Sequence, residues 1–421
     1  MPSLCLYFQV HQPYRLYPYH YFDIEAKENY FDDEKNRKIL NKVSDKCYLP
    51  SNEIFLELIH KYEGKFRLSL SLSGLVLEQF EKYRPDVLHS FQRLSATNCV
   101  EFLSETFAHS LSSVYSEQEF IRQIEKHKEI IYKYFGKKTE VFRNTELIYH
   151  NKIAQIIEKL GYKAMLSEGS ERFLQDRSPN HIYRAKETKN LKLLLKNYKL
   201  SDDIAFRFSD KQSGFYPLDS TKFSRWIHQL NGNAEVINLF MDFETFGEHQ
   251  WKESGIFDFL KNLPGAILKN KEFDFRTPNE CIETYPERGV YDVPEYLSWA
   301  DTERDLSAWI SNDLQKESIK KLYQLEEKVM ITGNQQILQK FEYFQASDHF
   351  YYMCTKFWND GDVHKYFSPY DSPYEAYIYF MNAISDFEMR LDRYYQEGGY
   401  SDKSVQKENS NPQASIITLS N

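Results

Sequence analysis

Two acidic residues of this chain stand where a catalytic pair could form. Glu146 follows the short apolar run Val141–Arg143, and Asp242 ends the run Val236–Asp242. Arg143 would keep a nearby Glu146 ionised, whereas the apolar neighbours of Asp242 would favour its neutral acid. One ionised and one protonated carboxyl group are what glycoside hydrolysis requires. The pair therefore points to cleavage of glycosidic bonds.

Polar side chains also follow the other predicted strands. They are His11 and Gln12 after the first, Glu78 after the second, Glu105 and His109 after the third, and Glu244, Glu248 and His249 beyond Asp242. In parallel barrels, catalytic side chains lie at the C-terminal ends of the strands because the loops converge there. Taken singly, each residue is equally well explained by a helix N-terminus or a structural hydrogen bond. Taken together, they favour one shared site.

The elements that would position these residues alternate between short apolar runs and helical patterns. The predicted strands are Leu4–Val10, Phe66–Ser73, Val100–Thr106, Val141–Arg143, Ala164–Ser167 and Val236–Asp242. Strand–helix alternation predicts an α/β fold with a parallel sheet and helices outside it. The number of repeats favours a barrel, an incomplete one included, over an open doubly wound sheet.

The chain is expected to divide into three parts. Residues 1–299 would form the catalytic barrel, and residues 300–397 a helical domain packed on it. The predicted helices of that domain are Leu306–Val329, Gly333–Ser347 and Pro373–Tyr395. Residues 398–421 are polar and are expected to form a flexible tail.

Charge and cysteine content exclude several classes of protein. The net charge is -9, and no Lys/Arg-rich stripe offsets it, so nucleic acid is not an expected partner. The five cysteines are scattered without a CxxC pair, which argues against a disulfide framework or a thiolate zinc site. The N-terminus lacks a signal-peptide pattern, and no run approaches the ~20 apolar residues of a membrane span. A cytoplasmic protein is expected, and its oligomeric state stays open.

Aromatic residues make up 16% of the chain. An aromatic-rich core would explain this share. A sugar-binding groove would explain it too, because Tyr and Trp rings cover the apolar faces of pyranose rings. Composition leaves both explanations open.

Several motifs occur in an order that resembles glycoside hydrolase family 57. They are His11-Gln12-Pro13, Gly74…Glu78, Phe142-Arg143-Asn144-Thr145-Glu146, Met241-Asp242-Phe243-Glu244 with the following Gly247-Glu248-His249-Gln250, and Ser298-Trp299-Ala300-Asp301. The resemblance spans about residues 1–310, and the segment around Asp242 is its most specific part. Ser201-Asp202-Asp203…Arg207 is similar to the α-amylase-type members.

The resemblance implies an incomplete (β/α)7 barrel with a helical bundle, a retaining mechanism, and no metal or cofactor in catalysis. It makes Glu146 the nucleophile, Asp242 the general acid/base and an α-1,4-glucan the substrate. Trp299 would be a stacking platform, and Asp301 or Asp305 would contact sugar hydroxyls. The expected substrate-binding residues are His11, Gln12, Glu78, Arg143, Glu244, His249, Trp299, Asp301 and Asp305.

One position departs from the family pattern. Better-known members carry Trp three residues before the nucleophile, where this chain has Arg143. The exchange leaves the reaction class intact but puts the exact glucan in doubt. A retaining mechanism also predicts that the carboxyl groups of Glu146 and Asp242 lie about 5–5.5 Å apart, against roughly 6.5–9.5 Å for inversion.

A metal-dependent hydrolase or deacetylase is the rival enzyme class. Its ligands would come from His11, His109, His249, Asp242 and Glu244. Against it, the sequence has no HxH or HxxxH spacing, and His11 is followed by Gln-Pro rather than by a carboxylate.

Two further alternatives stay open from the sequence. A 4-α-glucanotransferase would use the same covalent intermediate but pass the sugar to another hydroxyl group instead of water. A non-catalytic carbohydrate-binding protein would need no acid–base pair, and the presence of both carboxylates speaks against it.

Overall fold

The computed structural model describes residues 1–356 and 368–398 of the chain. Within these ranges ten strands form two five-stranded sheets. In chain order the strands are β1 Ser3–Val10, β2 Leu68–Leu72, β3 Val100–Phe102, β4 Val141–Arg143, β5 Ala164–Glu168, β6 Ile182–Ala185, β7 Lys192–Lys196, β8 Val236–Asp242, β9 Asp274–Phe275 and β10 Glu287–Tyr291.

The first sheet is parallel throughout. Its order is β3-β2-β1-β8, and β9 also pairs with β1. Every residue of β1 and β2 is buried, as expected for parallel strands covered on both faces. The register places Gln9 beside Asp242 and Val10 beside Leu72, so the C-terminal ends of β1, β2 and β8 meet at one edge.

The second sheet has the order β10-β6-β7-β5-β4. Three of its strand pairs are parallel, namely β4 with β5, β5 with β7, and β10 with β6. The pair β6–β7 is antiparallel, because the chain returns directly from Ala185 to Lys192 as a hairpin.

Backbone hydrogen bonds connect the two sheets on two sides. Ser104 N–H donates to Val141 O (3.0 Å) and Arg143 N–H donates to Ser104 O (2.8 Å), which joins the end of β3 to β4. Asn197 N–H donates to Asn238 O (2.9 Å), which joins the end of β7 to β8. The predicted α/β class with a parallel sheet and outer helices is confirmed, but the described residues form two sheets with one antiparallel pair rather than one closed parallel barrel.

Helices pack around both sheets. In the first 300 residues they are α1 Asp33–Val43, α2 Leu49–Lys61, α3 Gly74–Tyr83, α4 Pro85–Ala96, α5 Ser112–Tyr115, α6 Glu117–Phe135, α7 Asn151–Lys159, α8 Glu171–Leu174, α9 Tyr198–Ala205, α10 Ser220–Gln229, α11 Ile256–Leu268 and α12 Pro278–Thr284. Short 3-10 turns occur at Tyr21–Asp23, Thr145–Leu147, Phe243–Thr245 and Lys252–Ser254, and a π-helical turn at Ser44–Tyr48.

Much of the aromatic content lies in the core. The ring of Phe8 on β1 packs against the rings of Phe55, Phe243 and Phe246 at centroid distances of 5.4–5.9 Å. This cluster fixes the turn after β8 against β1 and α2. The core thus accounts for a large part of the aromatic share, while Trp299 lies beside a cavity.

The C-terminal part of the chain is helical. Its helices are α13 Ser307–Ile310, α14 Asp313–Gln324, α15 Glu326–Thr332, α16 Gln335–Phe344, α17 Ser347–Tyr351 and α18 Pro373–Gln396. The single helix predicted for Leu306–Val329 is three helices, because the Asn312 side chain and Gln315 form a capping box that starts a new one. Buried Glu342 on α16 accepts from Arg122 (2.9 Å) and Lys126 (2.6 Å), which ties the C-terminal helices to α6.

Of the predicted tail, residues 399–421 lie outside the described residues. Among the residues that are described, we find no helix with the length and apolar character needed to cross a membrane.

Candidate active site

The C-terminal ends of β1 and β8 and the turn after β4 open into one cavity of about 400 Å³. Glu146 and Asp242 both line it, together with Trp299 from the loop after β10.

Glu146 is presented by an unusual backbone turn. It lies in the 3-10 turn Thr145–Leu147, with φ of +54° for Glu146 and +51° for Leu147. Non-glycine residues rarely adopt this left-handed conformation, and such strain concentrates at functional sites. Both carboxylate oxygens accept hydrogen bonds, Oε1 from His109 Nε2 (3.0 Å) and Oε2 from Trp299 Nε1 (2.7 Å).

The surroundings of Glu146 favour its ionised form. Burial alone would raise its pKa, but the hydrogen bond and charge of His109, the charge of Arg143 and the Trp299 hydrogen bond lower that pKa below its ordinary value. The sequence argument named Arg143 for this effect. The larger influence comes from His109.

Asp242 has the opposite tendency. Burial and the nearby charge of Glu146 raise the pKa of Asp242 to about 6, although Arg143 and His109 partly oppose this rise. The two carboxyl groups of the cavity therefore have different pKa values, and Glu146 ionises at a lower pH than Asp242.

A third carboxyl group, Glu244, lies next to this pair. Burial and the charge of Asp242 raise the pKa of Glu244 to about 8. Its Oε1 atom accepts hydrogen bonds from Tyr48 Oη and from Gln12 Nε2 (3.4 Å). Glu244 is thus held neutral in a polar pocket at the wall of the cavity, where it can contact a neutral ligand.

His109 connects Glu146 to a buried acid. Its Nδ1 atom lies 3.0 Å from Glu105 Oε2 while Nε2 faces Glu146, and its backbone φ is +52°. Burial would lower the pKa of His109, but the hydrogen bonds to Glu105 and Glu146 raise it to about 9. The imidazole is therefore a cation at neutral pH and donates from both nitrogens.

His11 stacks on His109 with ring centroids 4.1 Å apart. Its Nδ1 atom lies 2.7 Å from Ser73 Oγ, and Nε2 lies 2.9 Å from Asp348 Oδ2 on α17. Burial and the charge of His109 lower the pKa of His11, so the ring is neutral and is fixed by its two partners.

Arg143 does not line the cavity, contrary to its expected role in binding substrate. Its side chain is fully buried, and the guanidinium lies 5.0 Å from the centroid of the Trp299 ring. The β-strand alternation of β4 turns this side chain into the interior below the site. From this position the charge of Arg143 lowers the pKa of Glu146 and that of Asp242.

Two other expected substrate-binding residues also lie away from the cavity. Glu78 is on the second turn of α3 and accepts from Tyr343 Oη of α16 (2.7 Å), because the helix carries it toward the C-terminal helices. Asp305 accepts from Ser307 N–H (2.7 Å) just before α13. The expected residues that do line the cavity are His11, Gln12, Glu146, Asp242, Glu244, His249, Trp299 and Asp301.

The cavity also contains residues to which the sequence gave no catalytic or substrate-binding role. They are Arg15, His109, Lys196, Asp202, Phe206, Arg304, Asp348 and Tyr351, among others. For Asp202, the stretch Ser201-Asp202-Asp203…Arg207 gave a signal, and for His109 its position after β3 did. Asp348 and Tyr351 come from a helix far along the chain, and no strand-end pattern marks them.

The histidines do not converge on a metal position. All four ring nitrogens of His11 and His109 face Ser73, Asp348, Glu105 or Glu146. Within residues 1–356 and 368–398 no group of three or more His, Cys, Asp or Glu side chains is arranged to hold a metal ion. This geometry does not favour the metal-dependent alternative.

Comparisons of the sequence with known proteins find a matching family and a relative. The family model for Glycosyl hydrolase family 57 matches residues 5–294. A protein of Methanocaldococcus jannaschii, named "Putative alpha-amylase", is 42% identical over 399 residues, which cover 90% of this chain and 83% of the relative.

Two solved structures share the fold. The branching enzyme of Thermococcus kodakaraensis has a TM-score of 0.69 at 14% identity, covering 98% of this chain and 94% of that one. The 4-alpha-glucanotransferase of Thermococcus litoralis has a TM-score of 0.61 at 16% identity, covering 83% of this chain and 56% of that longer chain.

Proposed function

The chain belongs to glycosyl hydrolase family 57, and we propose that it cleaves α-1,4-linked glucans by a retaining double displacement. The observation that carries this proposal is the shared cavity of Glu146 and Asp242, whose surroundings separate their pKa values in opposite directions. The 42% identical relative named as an alpha-amylase supports an α-glucan as the substrate.

In the first step, Glu146 attacks the anomeric carbon while Asp242 gives its proton to the departing glycosidic oxygen. A covalent bond forms between the sugar and Glu146, and the bond to the leaving sugar breaks. In the second step, Asp242 takes a proton from water, the water oxygen bonds to the anomeric carbon, and Glu146 leaves as a carboxylate. Glu146 must start ionised and Asp242 protonated, as their environments favour.

The neighbouring residues of the cavity would hold the sugar. Glu244 and Asp301 can exchange hydrogen bonds with sugar hydroxyls, and His11, Gln12 and His249 also line the cavity. Trp299 would cover an apolar face of the sugar ring while its N–H holds Glu146.

At the level of the fold, we propose that the two sheets form the wall of one incomplete barrel. Its seven strands would be β1, β2, β3, β4, β5, β7 and β8. The remaining strands, β6, β9 and β10, would not belong to the barrel. The hydrogen bonds between β3 and β4 and between β7 and β8 support this arrangement. Residues 1–299 would then be the catalytic unit, and the helices after residue 300 a second unit that covers the strand ends.

The direct test is digestion of soluble starch and of maltoheptaose by the purified full chain. We expect release of reducing ends, and proton NMR of the first product should show α-configured sugar. A β-configured first product would refute retention. Release of products longer than the substrate would identify the 4-α-glucanotransferase reaction, and binding without turnover would favour a non-catalytic carbohydrate-binding protein.

A further inference from the structure

We propose that His109, held by Glu105, is a positioning residue that stabilises Glu146 when the glycosyl–enzyme bond breaks. The inference rests on the proposed function, because it concerns the second step of that reaction. It starts from the chain of contacts Glu105 Oε2–His109 Nδ1 (3.0 Å) and His109 Nε2–Glu146 Oε1 (3.0 Å).

The geometry fixes this contact from both ends. Glu105 is fully buried, its Oε1 atom accepts from Gln9 Nε2 (3.0 Å), and His109 cannot rotate without losing one of its two partners. One face of the His109 ring is covered by the ring of His11, with the two ring centroids 4.1 Å apart. The charged groups around His109 are therefore Glu105, Glu146, Arg143 and, beyond His11, Asp348.

The chemical consequence differs between the two steps. When the ester bond between Glu146 and the sugar breaks, its electron pair returns to the Glu146 carboxylate, and an adjacent cation lowers the energy of that leaving group. In the first step the same cation holds the attacking carboxylate in place but reduces its basicity. His109 should therefore speed the second step more than the first.

The test compares His109→Gln and His109→Asn with the intact protein on 2-chloro-4-nitrophenyl maltotrioside. The activated leaving group makes the first step fast, so kcat reports the second step. Glutamine can place an N–H near the position of Nε2 without the charge, whereas the shorter asparagine cannot reach Glu146. We expect kcat to fall about 10-fold or more for Asn and less for Gln, with a lower KM and a covalent adduct on Glu146 detectable by mass spectrometry.

A structural role alone would give a different result. It would lower kcat and kcat/KM together and leave the acidic limb of the pH profile in place, whereas loss of the cation should move that limb to higher pH. The proposal would be overturned if a folded His109→Asn variant kept the acidic limb of the pH profile at the pH of the intact protein and also kept the same ratio of kcat to kcat/KM. Lack of turnover by the intact protein would instead count against the proposed function.

A separate observation concerns two exposed aromatic residues on neighbouring loops, one of which lines the cavity. Phe206 lines the cavity and is 62% exposed, and Trp251 is 61% exposed. They directly follow Ala205 and Gln250, which are joined by the hydrogen bond from Gln250 Nε2 to Ala205 O (2.8 Å). The two loops are thus fixed side by side, and we infer that the two rings bind further glucose units of an α-glucan.

The occupant follows from the size of the cavity and rests on the proposed function. A polymer cleaved within about 400 Å³ must continue outside, and its next sugar units cross the rim. Large exposed rings cost free energy in water, and pyranose C–H faces are a partner of matching shape.

Chain-length dependence tests this rim. For Phe206→Ala and Trp251→Ala we expect kcat/KM to fall roughly 10-fold on maltoheptaose and less than about 2-fold on maltotriose. Phe22→Ala is the matched control, because Phe22 is 88% exposed, does not line the cavity and belongs to neither of the two loops joined by the hydrogen bond between Gln250 and Ala205. Equal losses on both substrates, or no loss on either, would overturn the rim proposal, while inactivity of the intact protein on both would count against the proposed function.

Discussion

At the scale of single residues, Glu146 and Asp242 carry the same kind of group, a carboxyl, but have different electrostatic surroundings. Glu146 has the cations of His109 and Arg143 close by, so its carboxylate is stabilised even though it is buried. Burial and the charge of Glu146 raise the pKa of Asp242 more than the same cations lower it. The protonation states needed for a double displacement thus follow from the surroundings rather than from the residue types.

Replacing Glu146 by Gln should remove nearly all activity. The amide has the same size and can keep the contact with Trp299, but it cannot form the glycosyl ester, so kcat should fall by at least about 10³-fold. A reducing-sugar assay measures the loss, and circular dichroism checks the fold. Glu57→Gln, on the exposed face of α2, is the control and should keep full activity. A folded Glu146→Gln protein with near-native turnover would remove Glu146 from the mechanism.

The pH profile of kcat/KM should be a bell with a narrow optimum. Activity rises as Glu146 loses its proton, which occurs below the ordinary glutamate value because its pKa is lowered. Activity falls as Asp242 loses its proton, and its pKa of about 6 places the basic limb there. Measurement of initial rates on maltoheptaose from pH 3 to 9 checks both limbs. A basic limb above pH 8 would contradict the assignment of Asp242 as the acid.

Arg143 offers a way to move both limbs together. Its charge lowers the pKa of Glu146 and that of Asp242, so Arg143→Met should shift both limbs to higher pH. Methionine keeps much of the volume beside Trp299, and because Arg143 does not line the cavity the product lengths should stay the same. Chromatography of the products and the pH profile check this. Altered products with unmoved limbs would return Arg143 to the role of a substrate contact.

At the scale of elements, apolar runs without charged residues before their last position were predictable, and runs that contain or begin with charged residues were not. The strands β4 and β8 have the predicted bounds, because each is an apolar run that ends at a polar residue. The hairpin β6–β7 escaped prediction, since Arg184, Lys192 and Lys196 interrupt its apolar pattern. The strand ends still located much of the cavity wall, because parallel strands bring their C-terminal ends together whatever their order.

The start of α3 depends on a glycine that allows close packing. A Cβ atom on Gly74 would lie 2.1 Å from the ring of Phe107, and that ring is itself buried. Gly74→Ala should therefore destabilise the protein by roughly 1–3 kcal/mol through overpacking. Urea denaturation measures this change. Gly214→Ala is the matched control, because no atom lies within 4 Å of its added Cβ, and equal stability of the two variants would show that Phe107 relaxes freely.

At the scale of the whole molecule, the cavity is completed by a distant part of the chain. Asp348 and Tyr351 reach it from α17, and Asp348 binds His11 across 337 positions of sequence. No local pattern can predict such a contact, since it depends on how the helices after residue 300 dock onto the strand ends. The same docking explains why Glu78 does not line the cavity: its partner is Tyr343 on α16.

The contact between Asp348 and His11 should therefore couple the C-terminal helices to activity. Burial would raise the pKa of Asp348, but His11, His109 and Arg15 hold it well below its ordinary range. The carboxylate thus stabilises the fold above about pH 4 and loses this effect as the pH falls toward the lowered pKa of Asp348.

For Asp348→Asn we expect lower kcat/KM, because His11 loses its charged partner, and a free energy of unfolding lower by about 1–3 kcal/mol at pH 7. Denaturation at pH 7 and pH 3 should show that the difference in free energy of unfolding between the intact protein and Asp348→Asn is smaller at pH 3. Asp313→Asn, at the first turn of α14, is the control and should affect neither quantity strongly. A gap that widens in acid, or full activity of Asp348→Asn, would show that α17 merely covers the cavity and does not orient its residues.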